Sequence, residues 1–235
     1  MVYYLEAEKN QNLESKVIMT DSIIFDVDGT IWDSTGVVEK AWNDAASKAG
    51  MPNRNITADE LKSLFGKPMD EIIEALFPDV SPEKRAEFAP FCFENEETYL
   101  KRESGTVYEG FQEMLDELSK EYRLFIVSNC QKGYIETVFE ATGFGKYFID
   151  YTCPGDTGLL KADNIRLIME RNGLEKTVYV GDTQMDADAC KKAEVPIVFA
   201  AYGFGTVEEP DYVIQSPMEL VDIMHTIKTK EFSLY

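Results

Sequence analysis

The stretch SIIFDVDGT, residues 22–30, joins a run of apolar residues to two closely spaced aspartates and a Gly-Thr pair. Residues 22–25 predict a short strand, because β-branched and aromatic residues favour the pleated surface of a sheet. Side chains alternate along a strand, so Asp26 and Asp28 point the same way if the extended backbone continues. Two carboxylates that close repel each other unless a cation lies between them. The stretch therefore predicts a strand that ends either in a solvated acidic turn or in a metal site with an acid–base pair.

Strands alternate with helices in the part of the chain that follows Gly105. This alternation indicates βαβ units and hence the α/β class: a doubly wound, mostly parallel sheet of Rossmann-like type with helices on both faces. Ligands of such sheets bind at the carboxyl ends of the strands. The predicted strands in this part are 123–128, 148–153, 177–182, 195–200 and 211–214, and the predicted helices are 109–121, 133–142, 162–172, 186–193 and 217–228.

The distance along the chain between the first two strand ends is too long for one crossover. Asp28 lies 100 residues before Ser128, whereas Ser128 lies only 54 residues before Asp182. A βα unit takes roughly 30 residues or a little more. An insertion must therefore follow the first strand. The predicted parts are an N-terminal tail at residues 1–18, an α/β core at 19–34 and 105–235, and a smaller all-helical domain at 35–104.

The inserted domain is predicted to contain several helices. Residues 37–49 place apolar side chains at a period of 3.6 residues, which is typical of an amphipathic helix. Residues 58–65, 68–77 and 82–103 also predict helices, and Pro90 is expected to break the last of them.

A second acidic cluster, VGDTQMD at 180–186, follows another apolar run. Capping explains one of its two aspartates, Asp182 or Asp186, since Asp is favoured at helix caps and in first turns. It does not explain a second acidic strand end in the same sheet. If both strand ends meet at one edge, the sheet gathers four carboxylates, the others being Asp26 and Asp28. Hard oxygen ligands of this kind suit Mg²⁺, so we predict a magnesium site at these residues.

Two further positions predict groups that hold phosphate. Ser128 and Asn129 follow the apolar run RLFIV, and a hydroxyl, an amide and the N–H groups of a turn can bind phosphate oxygens. Such a pair also occurs in ordinary turns. Lys161 precedes a predicted helix, where it is either a solvated lysine or a fixed cation beside a phosphoryl group.

Composition limits the partners that the chain can have. Its 235 residues include 23 basic and 43 acidic ones, a net charge of −20, so most of its surface repels nucleic acid and anionic membranes. The four cysteines are far apart, which is typical of reduced thiols rather than a metal finger or a disulfide framework. No apolar run reaches membrane-spanning length, and the first 18 residues lack the features of a secretory signal. We expect a cytoplasmic protein with a small-molecule partner, and its oligomeric state stays open.

In this order, the motifs resemble those of the haloacid dehalogenase superfamily of phosphotransferases. The resemblance rests on DVDGT at 26–30, Ser128, Lys161 and GDTQMD at 181–186, and it covers the chain beyond the tail. The helical insertion is similar in position to the smaller cap domain of that superfamily. Within the superfamily, DGTIWDS and the glycine loop YGFG at 202–205 resemble enzymes of the phosphoglycolate phosphatase type.

The resemblance implies a role for each aspartate. Asp26 would be the nucleophile that attacks phosphorus and becomes an aspartyl phosphate. Asp28 would protonate the leaving alcohol and then activate water. Mg²⁺ would be held by the Asp26 carboxylate, the Asp28 backbone carbonyl and Asp182, with Asp186 supporting it directly or through water.

The same resemblance implies which residues hold the phosphate group. Thr30, Ser128 and Asn129 would bind phosphate oxygens, and Lys161 would supply the cation. Family members of this type often have Pro after that lysine, whereas this chain has Ala162.

Lys67, in the cap stretch FGKPMDE, is therefore a second candidate cation that could contact the leaving group. The alternative for Lys67 is an ordinary lysine on the cap surface. Asp33 and Ser34 are expected to cap the first cap helix and to form part of a hinge.

The second aspartate separates the branches of the superfamily. Its dehalogenases do not carry Asp at the position of Asp28, and its phosphonate-cleaving branch has a small residue there. The resemblance thus implies a Mg²⁺-dependent phosphatase, a phosphoric monoester hydrolase acting on a small phosphomonoester. Two alternatives remain: a hexose-phosphate mutase and a non-catalytic phosphate-binding member. The leaving group is open, and phosphoglycolate is only the family-level expectation.

Overall fold

The computed structural model describes residues 21–51 and 54–232, so the predicted tail at 1–18 lies outside the described residues. Six parallel strands form its central sheet, in the order β5-β4-β1-β6-β7-β8, and two short strands pair separately. The strands are β1 (Ser22–Phe25), β2 (Trp32–Asp33), β3 (Thr106–Val107), β4 (Arg123–Val127), β5 (Phe148–Thr152), β6 (Thr177–Gly181), β7 (Ile197–Ala200) and β8 (Tyr212–Ile214).

Ten α-helices accompany the strands in the described part of the chain, together with a short 3₁₀ helix at Phe144–Tyr147. The helices are α1 (Thr35–Lys48), α2 (Ala58–Leu64), α3 (Met69–Leu76), α4 (Pro82–Glu103), α5 (Phe111–Leu118), α6 (Tyr134–Thr142), α7 (Pro154–Thr157), α8 (Lys161–Asn172), α9 (Gln184–Ala193) and α10 (Glu219–Phe232).

The central strand β1 is buried on both faces of the sheet. Ile23 and Phe25 pack into an apolar cluster with residues of α5, α6 and α10, whereas Ile24 packs into a second cluster with residues of α8 and α9. Successive side chains of a strand point to opposite faces, so one strand supplies both layers. The predicted doubly wound α/β fold is confirmed.

The register of β1 determines which residues lie at the edge of the sheet where the strands end. Phe25 lies beside Ile126 of β4 and Val180 of β6. The residues that follow these three strands therefore come together, although they are far apart in the sequence.

The four helices α1–α4 form a separate unit above that edge. They share a hydrophobic core of their own, in which Trp42 of α1, Leu61 of α2, Ile72 of α3 and Phe88 of α4 are buried. The chain enters and leaves this cap through the antiparallel pair of β2 and β3, with Trp32 opposite Val107. The sequence patterns did not predict this two-stranded connection.

Pro90 does not break α4, so that prediction is wrong. The helix runs through it, and Phe88 and Cys92 on either side are buried in the cap core. A proline inside a helix costs about 3 kcal/mol or more. Fully burying a large apolar side chain contributes about 1.5–3 kcal/mol, so packing along this face offsets the lost backbone hydrogen bond.

None of the helices in the described part of the chain is both long and apolar enough to cross a membrane.

Candidate active site

Three buried aspartates meet where the central strands end. Asp26 follows β1, Asp182 follows β6, and Asp186 lies in the first turn of α9. One carboxylate oxygen from each of the three lies within 4.8 Å of the others. The backbone N–H of Asp26 donates to the carbonyl of Val180 at 2.9 Å, which ties the first aspartate to the neighbouring strand. The structure thus brings together three of the four carboxylates predicted for the metal site.

One carboxylate oxygen of Asp182 is free to accept a ligand. Its Oδ2 accepts a hydrogen bond from the backbone N–H of Phe204 at 2.7 Å, whereas its Oδ1 is buried without a hydrogen-bond partner. Burial, together with the charges of Asp186 and Asp26, raises the pKa of Asp182 well above its ordinary value. A buried carboxylate oxygen without a partner is costly unless a cation or donor binds it. This oxygen and its two acidic neighbours fit a hard divalent cation such as Mg²⁺.

Glycines allow the backbone to approach Asp182 closely. Gly29 has φ of +79°, and a Cβ atom there would lie 2.0 Å from Oδ2 of Asp182. A Cβ atom on Gly203, in the late glycine loop, would lie 2.5 Å from the same oxygen. Any side chain at either position would push Asp182 away from the other carboxylates.

Asp186 takes part both in capping α9 and in the group of buried carboxylates. Its Oδ2 accepts hydrogen bonds from the N–H (3.0 Å) and the hydroxyl (2.7 Å) of Thr183. Its own N–H donates to the Thr183 hydroxyl oxygen at 3.3 Å, which completes a capping box at the start of α9. Its Oδ1 accepts a hydrogen bond from Nζ of Lys161 at 2.5 Å. The aspartate therefore caps its own helix and is fixed in the acidic group at the same time.

Lys161 is a buried cation that contacts two of the three aspartates, Asp26 and Asp186. It is the first residue of α8, its side chain is 4% exposed, and its Nζ lies 3.0 Å from Oδ1 of Asp26. Burial alone would lower the pKa of Lys161, but the charges of Asp186 and Asp26 raise it above its ordinary value. Burial raises the pKa of Asp26 to about 6, while Lys161 opposes that rise. Three carboxylates around one ammonium leave two uncompensated charges when all are ionised, and a divalent cation would balance them.

The Asp28 carboxylate is not part of the group of three. The chain turns directly after Val27, whose carbonyl accepts a hydrogen bond from the N–H of Ile31 at 2.7 Å, so the extended backbone does not continue. The expectation that Asp26 and Asp28 share one side depended on that continuation. The Asp28 carboxylate lies instead under the cap, beside α6 and the start of α1.

Three donors surround Oδ1 of Asp28. They are the indole N–H of Trp32 (3.1 Å), the hydroxyl of Ser34 (2.6 Å) and the hydroxyl of Tyr134 (2.7 Å). Burial raises the pKa of Asp28 to about 7, against the opposing effect of the hydrogen bonds from Ser34 and Tyr134. This carboxyl group can therefore hold or release a proton near neutral pH.

The hydroxyl of Ser34 bonds Asp28 and does not cap the helix. Ser34 occupies the N-cap position of α1, but its hydroxyl oxygen accepts no capping hydrogen bond from the first turn, and its hydroxyl group donates to Asp28 instead. Of the two side chains, only that of Asp33 accepts hydrogen bonds from the first turn, from the N–H (3.0 Å) and the hydroxyl (2.5 Å) of Thr35. The predicted capping role is thus wrong for Ser34, because its hydroxyl donates a hydrogen bond to the buried carboxylate of Asp28 instead.

The predicted phosphate ligands lie around the same edge. Thr30 is fully buried and its hydroxyl has no hydrogen-bond partner, and a hydrogen bond from Ser128 lowers the pKa of Asp26. The side-chain amide of Asn129 donates to the carbonyl of Gly66 at 2.8 Å, so it joins the core to a cap loop. Lys67 follows in that loop and is half-buried, but it forms no ion pair with the site carboxylates in the described residues.

Two residues of the site, Tyr134 and Glu96, were not predicted from the sequence. Tyr134 gave no signal, since an aromatic residue at the start of a helix is ordinary. Glu96 did give one: α4 buries Phe88, Cys92, Glu96 and Leu100 at intervals of four residues. A carboxylate in such an apolar stripe indicates a buried charge with a partner or a function.

The chain belongs to the haloacid dehalogenase-like hydrolases, whose family model matches residues 23–200. This confirms the resemblance to that superfamily and the prediction of a hydrolase. A phosphoglycolate phosphatase of Vibrio vulnificus (strain CMCP6) is 27% identical over 219 residues, which cover 86% of this chain and 95% of that protein. One from Agrobacterium fabrum is 29% identical over 205 residues, covering 81% and 86%.

The fold also matches solved structures. The crystal structure of a predicted phosphoglycolate phosphatase from Haemophilus somnus superimposes with a TM-score of 0.77 at 18% identity. The match covers 87% of this chain and 97% of that one, so it includes both the sheet and the cap.

Proposed function

We propose that this chain is a Mg²⁺-dependent phosphatase that hydrolyses a small phosphomonoester through an aspartyl-phosphate intermediate. The observation that carries the proposal is the buried arrangement of Asp26, Lys161 and Asp182: a carboxylate beside a fixed cation and beside a second carboxylate with an unpartnered oxygen. The curated relatives support the enzyme class that the sequence predicts, phosphoric monoester hydrolase.

The proposed metal ligands are the carboxylates of Asp26 and Asp182 and the backbone carbonyl of Asp28, with Asp186 in support. Mg²⁺ bound there would neutralise charge on the phosphate oxygens, which is the main requirement of phosphoryl transfer. The parts of the chain assigned to this chemistry are the core at 19–34 and 105–235, with 35–104 as the cap.

The proposed reaction has two steps. In the first, a carboxylate oxygen of Asp26 attacks phosphorus and the bond to the ester oxygen breaks, while Asp28 gives its proton to the leaving alcohol. In the second, Asp28 takes a proton from water, the water attacks the phosphorus, and inorganic phosphate leaves with the Asp26 carboxylate restored. The pKa of Asp28, about 7, supports both directions of proton transfer near neutral pH.

Phosphate binding is assigned to the hydroxyls of Thr30 and Ser128 and to the ammonium of Lys161, with Asn129 at the cap side. The unpartnered buried hydroxyl of Thr30 supports this assignment, because a bound phosphate oxygen would accept its hydrogen bond.

The test is a panel of phosphomonoesters assayed with Mg²⁺ for released phosphate, using the wild-type chain, Asp26→Asn and the exposed control Asp188→Asn. We expect Asp26→Asn to lower turnover by ~10³-fold or more, since it removes the nucleophile, and Asp188→Asn to be unaffected. Retained turnover in folded Asp26→Asn would refute the mechanism. Isomerised sugar phosphate in place of free phosphate would indicate a mutase instead.

A further inference from the structure

A cavity between the cap and the core contains a carboxylate that the proposed chemistry does not use. Asp26 and Asp28 line its core side, and Glu96 of α4 lines its cap side. Glu96 is only 3% exposed. A leaving group bound to a phosphate at Asp26 would extend toward the cap, so it would meet this carboxylate.

The hydrogen bonds of Glu96 come from neutral groups. Its Oε2 accepts from the indole N–H of Trp42 at 2.6 Å, and its Oε1 accepts from the side-chain amide of Gln131 at 3.1 Å. Each carboxylate oxygen can accept a second hydrogen bond. A buried carboxylate held by two neutral donors is costly for folding, and an additional donor on a ligand would reduce that cost.

Among the described residues, the cavity offers no positively charged side chain to an anionic leaving group. In the part of the chain that the structure describes, no lysine or arginine lines it, and neither Lys161 nor Lys67 is among the lining residues. The other cap-side walls are apolar or neutral, with Phe65, Met69 and Ile72 among them. A carboxylate such as that of glycolate would therefore face Glu96 without a counter-charge.

The cavity is small. Its volume is about 20 Å³, which is room for one or two water molecules. The cap therefore has to move to admit a substrate, and a short leaving group needs the smallest movement.

We propose that Glu96 determines specificity by accepting a hydrogen bond from a hydroxyl or ammonium group on a short leaving group and by disfavouring leaving groups that carry a carboxylate. This proposal rests on the proposed phosphatase function. It assigns to this chain a phosphorylated small polyol or amino alcohol as substrate, rather than the phosphoglycolate named in its relatives.

The test compares kcat/KM at pH 8, where Glu96 is ionised, for glycerol 3-phosphate, phosphoethanolamine and phosphoglycolate in the wild-type chain, Glu96→Gln and Glu97→Gln. Glu97 is an exposed neighbour on the same helix, paired with Lys101, and serves as the matched control. We expect the wild type to prefer glycerol 3-phosphate or phosphoethanolamine over phosphoglycolate by tenfold or more. Glu96→Gln should reduce that ratio at least tenfold, whereas Glu97→Gln should leave it unchanged.

The outcomes separate this proposal from the proposed function. If the wild type hydrolyses no phosphomonoester, the phosphatase function fails. If it hydrolyses them but prefers phosphoglycolate, or if Glu96→Gln leaves the ratio unchanged, the role of Glu96 is overturned. A wild-type preference for phosphoglycolate overturns the proposal even if Glu96→Gln does not fold. A purely structural role would lower all three values equally and would not alter their ratio.

Discussion

The ammonium group of Lys161 lies 3.0 Å from Oδ1 of Asp26, although 135 residues separate them along the chain. Both side chains are buried, so the attraction between them is screened far less than that of a surface pair. The same ammonium also contacts Asp186. One cation thus holds two of the three site carboxylates, and its removal affects stability and chemistry together.

Lys161→Met should lower the free energy of unfolding by about 3–5 kcal/mol, because it leaves two buried carboxylates without their counter-charge. Added Mg²⁺ should restore part of that loss, since the ion would compensate the same carboxylates. Urea unfolding with and without Mg²⁺ measures both effects. Lys120→Met removes only an exposed pair with Glu117 and is the control, with an expected change of about 1 kcal/mol or less. Equal losses in the two variants would contradict the prediction.

Asp182→Asn should raise the Mg²⁺ concentration needed for half-maximal activity by roughly tenfold or more. Even the loss of a group that only supports a ligand lowers metal affinity by about 10–100-fold, and Asp182 is proposed as a ligand itself. The amide can still accept the hydrogen bond from Phe204, but it removes the charge at the unpartnered oxygen. A Mg²⁺ titration of phosphate release measures the shift, with Asp188→Asn alongside. An unchanged Mg²⁺ response would remove Asp182 from the metal site.

Asp28→Asn should slow hydrolysis of an alkyl phosphate by about 10²–10⁴-fold, the usual contribution of general acid–base catalysis. An aryl phosphate releases a phenolate, which needs little protonation, so formation of the aspartyl phosphate should stay fast. Hydrolysis of that intermediate needs Asp28 as the base, so it should become slow. We therefore expect a burst of about one phenolate per enzyme followed by slow turnover. Stopped-flow absorbance measures it, and Asp26→Asn should show no burst. If Asp28→Asn lowers the burst amplitude and the steady-state turnover equally, Asp28 does not act as the general acid and base.

Glu96 should make the folded protein less stable as the pH rises. Burial raises its pKa from 4.5 to about 7, against the hydrogen bonds from Gln131 and Trp42. The folded state then holds a proton that the unfolded chain releases above pH 4.5, so the stability from this group is present below that pH and is lost as the pH rises through about 7.

Glu96→Gln cannot titrate, so its unfolding free energy relative to the wild type should rise by roughly 1–3 kcal/mol between pH 5 and pH 8. Urea unfolding at several pH values without divalent cations measures the difference. Glu97→Gln should show no such trend, and a flat difference for Glu96→Gln would mean that Glu96 is ionised at low pH in the folded protein.

Much of the core followed from short-range patterns. The predicted strand at 22–25 coincides with β1, and Asp26 and Asp182 follow their strands as expected. These features depend on side-chain alternation and on the way parallel strands align their ends. The same patterns failed at Pro90 and did not predict the pairing of β2 with β3, because burial in the cap core and contacts between distant residues determine both.

The α/β class, the family and the aspartates at the strand ends could be predicted from the sequence, since these depend on local periodicity and on motifs within a few residues. Which groups meet depends on how distant segments pack in the folded protein. That packing places Lys161 rather than Lys67 against Asp26, turns the Ser34 hydroxyl to Asp28, and sets Glu96 over the cavity. A buried charge is tolerated only where its partners converge, and that convergence is a property of packing between distant segments.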